Sequence, residues 1–143
     1  LIKLQAERIE AAELVAAVTT PEDGAVSLFL GTVRNNNRGR RVIALEYQAY
    51  DEMALREMTG VAEEAGKRYE ATRVALVHRT GRLEVGDVAV GIAVSSAHRK
   101  QSIEACRFII DELKKRVPIW KKEFYEGGSV WLEGGEDGLT ADR

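Results

Sequence analysis

Cysteine is all but missing from this chain of 143 residues. Cys106 stands alone, which excludes an internal disulfide and fits a reducing cytoplasm. With one Cys, and with His78 and His98 far apart, a zinc site is not expected, and no residue is assigned to a metal. No apolar run approaches the roughly 18 residues of a membrane span, and no signal-peptide pattern opens the sequence. A cytoplasmic setting without membrane contact is therefore expected. An excess of charge of one sign is missing too. The formal net charge of -2 gives no bulk attraction for nucleic acid, so any anion site must be local. Repeats, low-complexity tracts and linkers are also absent. The length suits one domain that buries about two-thirds of its unfolded surface. The expected extent of that domain is residues 1–135, with 136–143 (EDGLTADR) a flexible acidic tail.

Periodicity supplies the elements. After a short lead, IKLQ, the segment EAAELVAAV reads as a small amphipathic helix ended by the turn signals of TTPEDG. AVSLFLGTV at 25–33 is a largely apolar strand, RNNNRGRR a polar Gly-containing loop, and VIALEYQAY an alternating, half-buried strand. DEMALREMTGVAEEAGKRYE reads as a helix with Gly60 a weak spot in its middle. RVALVHRTG and DVAVGIAVSS are strands joined by the turn-rich GRLEVGD. A second long helix is expected from Ser95 to Val117, stopped by Pro118, followed by a hairpin of IWKKEFYEGG and SVWLEG. Strands and helices mix without a strict β-α-β rhythm, which favours an α+β fold with a mixed sheet.

Charge needs explaining in three places. The segment KKRVPIWKKEF gathers Lys114, Lys115, Arg116, Lys121 and Lys122 around a proline and a tryptophan. On the long helix, Ile103, Cys106, Ile110, Leu113 and Val117 form an apolar stripe. At about 100° per residue, Lys114 falls roughly 60° from the stripe's centre, whereas Lys115 points into solvent. A lysine bordering an apolar surface is either a snorkelling surface residue or a partly desolvated amine fit for acid, base or nucleophilic work. Phe108 lies on the polar side and is expected to touch another element or subunit. At the start of the same helix, with Ser95 or Ser96 as N-cap, His98, Arg99 and Lys100 oppose the macrodipole. Either these side chains splay into water, or a phosphate or carboxylate binds among them. The third place is Arg34, which follows an apolar strand and opens RNNNRGR. That stretch is either a soluble hairpin loop or a presented site, with Gly39 able to take positive φ. His78, within an apolar strand, reads as a structural histidine.

In this order, GTVRNNNRG at 31–39, HRTGRLEVGD at 78–87, SSAHR at 95–99 and KKRVPIWKKE at 114–123 resemble the MoaE family, the large catalytic subunits of molybdopterin synthase. The resemblance runs from about residue 2 to residue 133, with Asn36 standing where relatives often have His. It implies an α/β-hammerhead-like mixed sheet with two main helices and a small β subdomain. It also implies a sulfurtransferase that converts cyclic pyranopterin monophosphate (precursor Z) into molybdopterin. The sulfur would come from the C-terminal thiocarboxylate of a small ubiquitin-like (MoaD-like) subunit whose tail enters the pocket, with no metal or organic cofactor. Two large subunits would form a homodimer at the centre of a heterotetramer. Carried over by motif, Lys114 and Lys121 are the catalytic residues, and Arg34, His98 and Arg99 bind the substrate. The rival readings are a non-catalytic adaptor for a ubiquitin-like protein and a nucleic-acid-binding module using the two basic segments and Trp120.

Overall fold

The strands RVALVHR and VAVGIAVSS are apolar on both faces because helices cover both. In the computed structural model of the chain, which describes residues 1–132, the elements run β1 (Ile2–Gln5), α1 (Ala11–Val18), β2 (Ala25–Thr32), β3 (Asn36–Asn37), β4 (Arg40–Ala49), α2 (Asp51–Tyr69), β5 (Arg73–Arg79), β6 (Gly81–Glu84), β7 (Val88–Ser96), α3 (Arg99–Arg116), β8 (Ile119–Tyr125) and β9 (Gly128–Leu132). One sheet has the order β1-β5-β7-β2, with β1 parallel to β5 and the other pairs antiparallel. Ala75, Val77 and Ala93 on one face pack against Ile9, Leu14 and Val18, in α1 and the approach to it. Leu76, Ile92 and Val94 on the other face meet Met58 of α2 and Ala105 and Ile109 of α3. Gly91 sits beneath α1, where an added Cβ would collide with Leu14.

The second sheet is the small β subdomain. β4 is its hub, paired with β3, β6 and β8, and β9 closes the far edge on β8. The whole is α+β with a mixed sheet, as expected. Arg116 ties the two long helices together, with Nη1 donating to Glu64 Oε2 at 2.8 Å and Nε lying 3.6 Å from Glu57. Tyr69 and Phe108 pack 5.5 Å apart across the same seam, so Phe108 does touch another element. No helix among the described residues is long and apolar enough to cross a membrane.

Four local expectations need correction. IKLQ is not a lead but β1, whose backbone pairs with β5. GRLEVGD contains β6: Leu83 is fully buried opposite Leu45, and its polar neighbours Arg82 and Glu84 disguise the strand because they alternate outward. Ser95 and Ser96 do not cap α3. They end β7 fully buried, and the N-cap position falls on His98, whose carbonyl accepts a bond from Ser96 Oγ at 2.6 Å. The buried face of α3 is Ser102, Ala105, Cys106, Ile109 and Leu113, whereas Ile103 is 57% exposed. Small residues at 102 and 105 let the helix lie close on the sheet, which rotates the buried face away from Ile103. The expected tail, 136–143, lies outside the described residues.

Candidate active site

A strand turns alternate residues to opposite faces, and this parity sorts the basic segment. Ile119 anchors the inner face of β8, so Lys121 and Glu123 also point inward, buried to 6% and 1% exposure. Lys122 points the other way and lies over the rings of Phe124 and Trp131. Lys115 is exposed beside Glu112, and Arg116 is engaged in the helix seam. Of the five cations, Lys114 and Lys121 face the interior. α3 ends at Arg116 with Val117 as C-cap, and Pro118 redirects the chain into β8, so the two lysines arrive from different elements.

Lys114 lines a cavity of about 490 Å³ together with Phe29 and Gly31 of β2, Tyr47 of β4, His78 of β5, Val90 of β7 and Leu113 of α3. Tyr47 joins the two lysines: it shares this cavity with Lys114, and it is the direct cross-strand partner of Lys121. Burial raises the Tyr47 hydroxyl's pKa, and the nearby Glu123 raises it further, so the phenol stays protonated. His78 is buried and packs edge-on against Tyr47, with centroids 5.0 Å apart. Desolvation lowers its pKa to about 4; the hydrogen bond to the Arg79 carbonyl opposes this shift, and the charge of Lys114 adds to it.

A much smaller cavity, about 20 Å³, on the Lys121 side is lined by Arg34, Asn36, Asn37, Lys121 and Glu123. The RNNNRGRR stretch is a tight hairpin. Asn36 and Asn37 pair with Arg41 and Arg40 around Arg38 and Gly39, both at positive φ, as a two-residue turn requires. Asn37 Nδ2 donates to Glu123 Oε2 at 2.8 Å and pins the hairpin to β8, which sets Arg34 beside Lys121. Arg40 Nη2 lies 3.8 Å from the same carboxylate.

His98 and Arg99 are elsewhere. They sit exposed at the start of α3, and at 1.5 Å per residue the 15 residues from Arg99 to Lys114 span about 22 Å. One chain therefore sets Lys114 in the larger cavity and Lys121 with Arg34 in the smaller one, linked through Tyr47, and leaves His98 and Arg99 apart from both. Among the described residues no group of three or more His, Cys, Asp or Glu is placed to hold a metal ion.

Residues 4–116 match the family described as MoaE protein. The chain belongs to the MoaE family. It is 45% identical over 122 residues to a molybdopterin synthase catalytic subunit from Pyrococcus abyssi, covering 85% of this chain and 82% of the relative. It is 44% identical over 131 residues to the human molybdopterin synthase catalytic subunit, covering 92% and 70%. A crystal structure of molybdopterin synthase from Staphylococcus aureus superposes with a TM-score of 0.87 at 38% identity, over 90% of this chain and 94% of that one.

Within this MoaE chain, motif reasoning picked out the lysines but missed Tyr47, Asn37 and Glu123. Glu123 was open to detection: once Ile119 is placed inward, period-two counting puts Lys121 and Glu123 beside it. The alternation of VIALEYQAY sets Tyr47 on one face with Leu45, but its place opposite Lys121 comes from β4 lying between two other strands of the subdomain.

Proposed function

We propose that this MoaE-family chain is the catalytic subunit of a molybdopterin synthase, moving sulfur from the thiocarboxylate of a small ubiquitin-like subunit to cyclic pyranopterin monophosphate. The observation that carries the reading is the placement of two lysines from different elements around Tyr47: Lys114 lines the apolar-walled pocket with it, and Lys121 is its cross-strand partner. By mass balance, the thiocarboxylate sulfur ends bonded to a pterin carbon, and water releases the carrier's acyl group as a carboxylate. Lys114 attracts the anionic carrier terminus and assists proton transfer there; Lys121 stabilises negative charge that develops on the Tyr47 side. Arg34, held beside Lys121 by the hairpin, serves the substrate's phosphate or pterin.

His98 and Arg99 complete this site from a second copy of the chain. β2 is an edge strand with Leu28, Phe29 and Leu30 partly exposed, and Ile103 of α3 stands above it. The Ala25 end of β2 lies next to His98, because Gly24 N–H donates to the Ala97 carbonyl, and its Gly31 end lines the pocket. Two β2 edges related by a twofold axis would run antiparallel and set one copy's His98 end beside the other's pocket. The roughly 22 Å along α3 is close to the length of β2. The adaptor reading lacks any use for two inward lysines, and the nucleic-acid reading needs a continuous basic face that β8 divides.

Single-turnover conversion of precursor Z with a thiocarboxylated small subunit tests the reading. Wild type should give product, and Lys114→Ala should lose on the order of 100-fold. No product from a folded, partner-binding wild type would refute the reading. Mixing Lys114→Ala with Arg99→Ala, each inactive alone, should restore about a quarter of the wild-type sites by random dimer exchange. No recovery would place Arg99 outside a shared pocket.

A further inference from the structure

The β5 wall of the pocket has no role in the mechanism above, and His78 is the polar group in it. The Arg79 carbonyl has no hydrogen to give, so its 2.7 Å contact with Nδ1 fixes the tautomer. Nδ1 carries the proton, and Nε2 presents a lone pair from the opposite side of the ring. The edge contact with Tyr47 holds the ring plane. His78 shares its face of β5 with Leu76, the face that looks toward α2 and α3. The titratable groups around it are Tyr47 from β4 and Asp111, Lys114 and Lys115 from α3. Lys114 is the one whose charge bears on His78. A second cation in this buried wall would be repelled by the first, so the imidazole is a neutral acceptor facing an ammonium.

We propose that His78 is a positioning residue for sulfur transfer: its Nε2 accepts a hydrogen bond from the Lys114 ammonium and holds that group, charged, at the Tyr47 side of the pocket. The inference rests on the sulfur-transfer reading for its purpose, but not for its geometry. No proton leaves His78 and no bond to it forms. A hydrogen bond to the charged form of an amine keeps its pKa up, so losing the acceptor would let burial pull Lys114 down.

The pH dependence of Lys114 acylation by an amine-reactive reagent, read by peptide mass spectrometry, tests this without requiring turnover. His78→Phe keeps a ring against Tyr47 and removes the acceptor, and the midpoint of Lys114 labelling should fall by about one pH unit. His78→Gln, whose Oε1 reaches about as far as Nε2, should bring the midpoint back. Lys115 on the same helix should be unmoved in every variant. If the Phe variant does not fold, His78→Asn keeps a donor for the Arg79 carbonyl but reaches no farther than Nδ1, and it should reproduce the fall. Single-turnover sulfur transfer should drop roughly tenfold in the variants lacking the acceptor. An unchanged Lys114 midpoint in both acceptor-less variants would overturn the inference. A shifted midpoint in a protein whose wild type makes no product would instead overturn the sulfur-transfer reading and leave the His78–Lys114 contact standing.

Discussion

Replacing Glu123 tests whether the hydrogen bond to its carboxylate, beyond packing alone, pins the hairpin to β8. The carboxylate is 1% exposed, accepts from Asn37 Nδ2 at 2.8 Å, and lies 3.8 Å from the Arg40 guanidinium. It shares its cavity with Lys121, itself 6% exposed. Glu123→Ala strands the Asn37 donor, at about 1–3 kcal/mol, and removes the nearest buried anion from Lys121. The Arg40 pair is partly exposed and adds little, about 0–1 kcal/mol. Water entering the enlarged cavity offsets some of the loss, so we expect about 3 kcal/mol in all. Glu123→Gln is the control: its Oε1 still accepts from Asn37, and losing the charge alone should cost about 1 kcal/mol. At about 3 °C per kcal/mol for a chain of this size, the melting temperature should fall by about 9 °C for Ala and about 3 °C for Gln. Urea unfolding followed by tryptophan fluorescence, with Trp120 on the affected strand, reads both. If Ala and Gln agree within about 0.5 kcal/mol, Glu123 is not holding the hairpin through a hydrogen bond, and the account of how Arg34 is positioned falls.

Two other groups give predictions that do not depend on substrate. His78 titrates near 4 in the folded chain against 6.5 when unfolded, so between those values the unfolded state binds more protons. Stability should be full above about pH 6.5 and decline toward pH 4, by on the order of 3 kcal/mol. His78→Gln should flatten that limb in urea titrations; an equally steep decline in the variant would remove His78 as its source. Burial pushes the Cys106 thiol up to about 11, so at pH 8 about one molecule in a thousand carries the thiolate. Iodoacetamide should then label Cys106 only as the chain unfolds, and rapid labelling of the folded protein would refute its burial against the sheet.

The strands that paired apolar alternation with turn signals were legible in the sequence, as were the two long helices. What stayed hidden shares a physical cause: partners supplied from far along the chain. Ile2–Gln5 has no strand signal strong enough alone and becomes one because β5 offers it an edge. Leu83 reads as a lone apolar residue in a turn until Leu45 is set opposite. Ile103 kept the helical spacing of a core residue, yet α3 turns Ser102 and Ala105 to the sheet instead, a choice made by close packing that spacing cannot register. The site followed the same division. Lys114 and Lys121 were visible through their motif, whereas Tyr47 gained its place from the register of β4 against β8.

That register imposes an arithmetic on the chain. The interval from Ile119, which is buried, to Lys121 is two, and only an even interval keeps both on the inner side. Inserting a single residue between them, after Trp120, would send Lys121 and Glu123 outward, place the inserted residue opposite Tyr47 and bring Lys122 and Phe124 to the inner side, unless a bulge absorbed the extra residue. Every side chain would survive such an insertion, yet Tyr47 would lose its cross-strand lysine and the hairpin its anchor. Length in this segment is therefore quantised: without a bulge, the inward facing of Lys121 and Glu123 survives the addition of two residues here, but not of one.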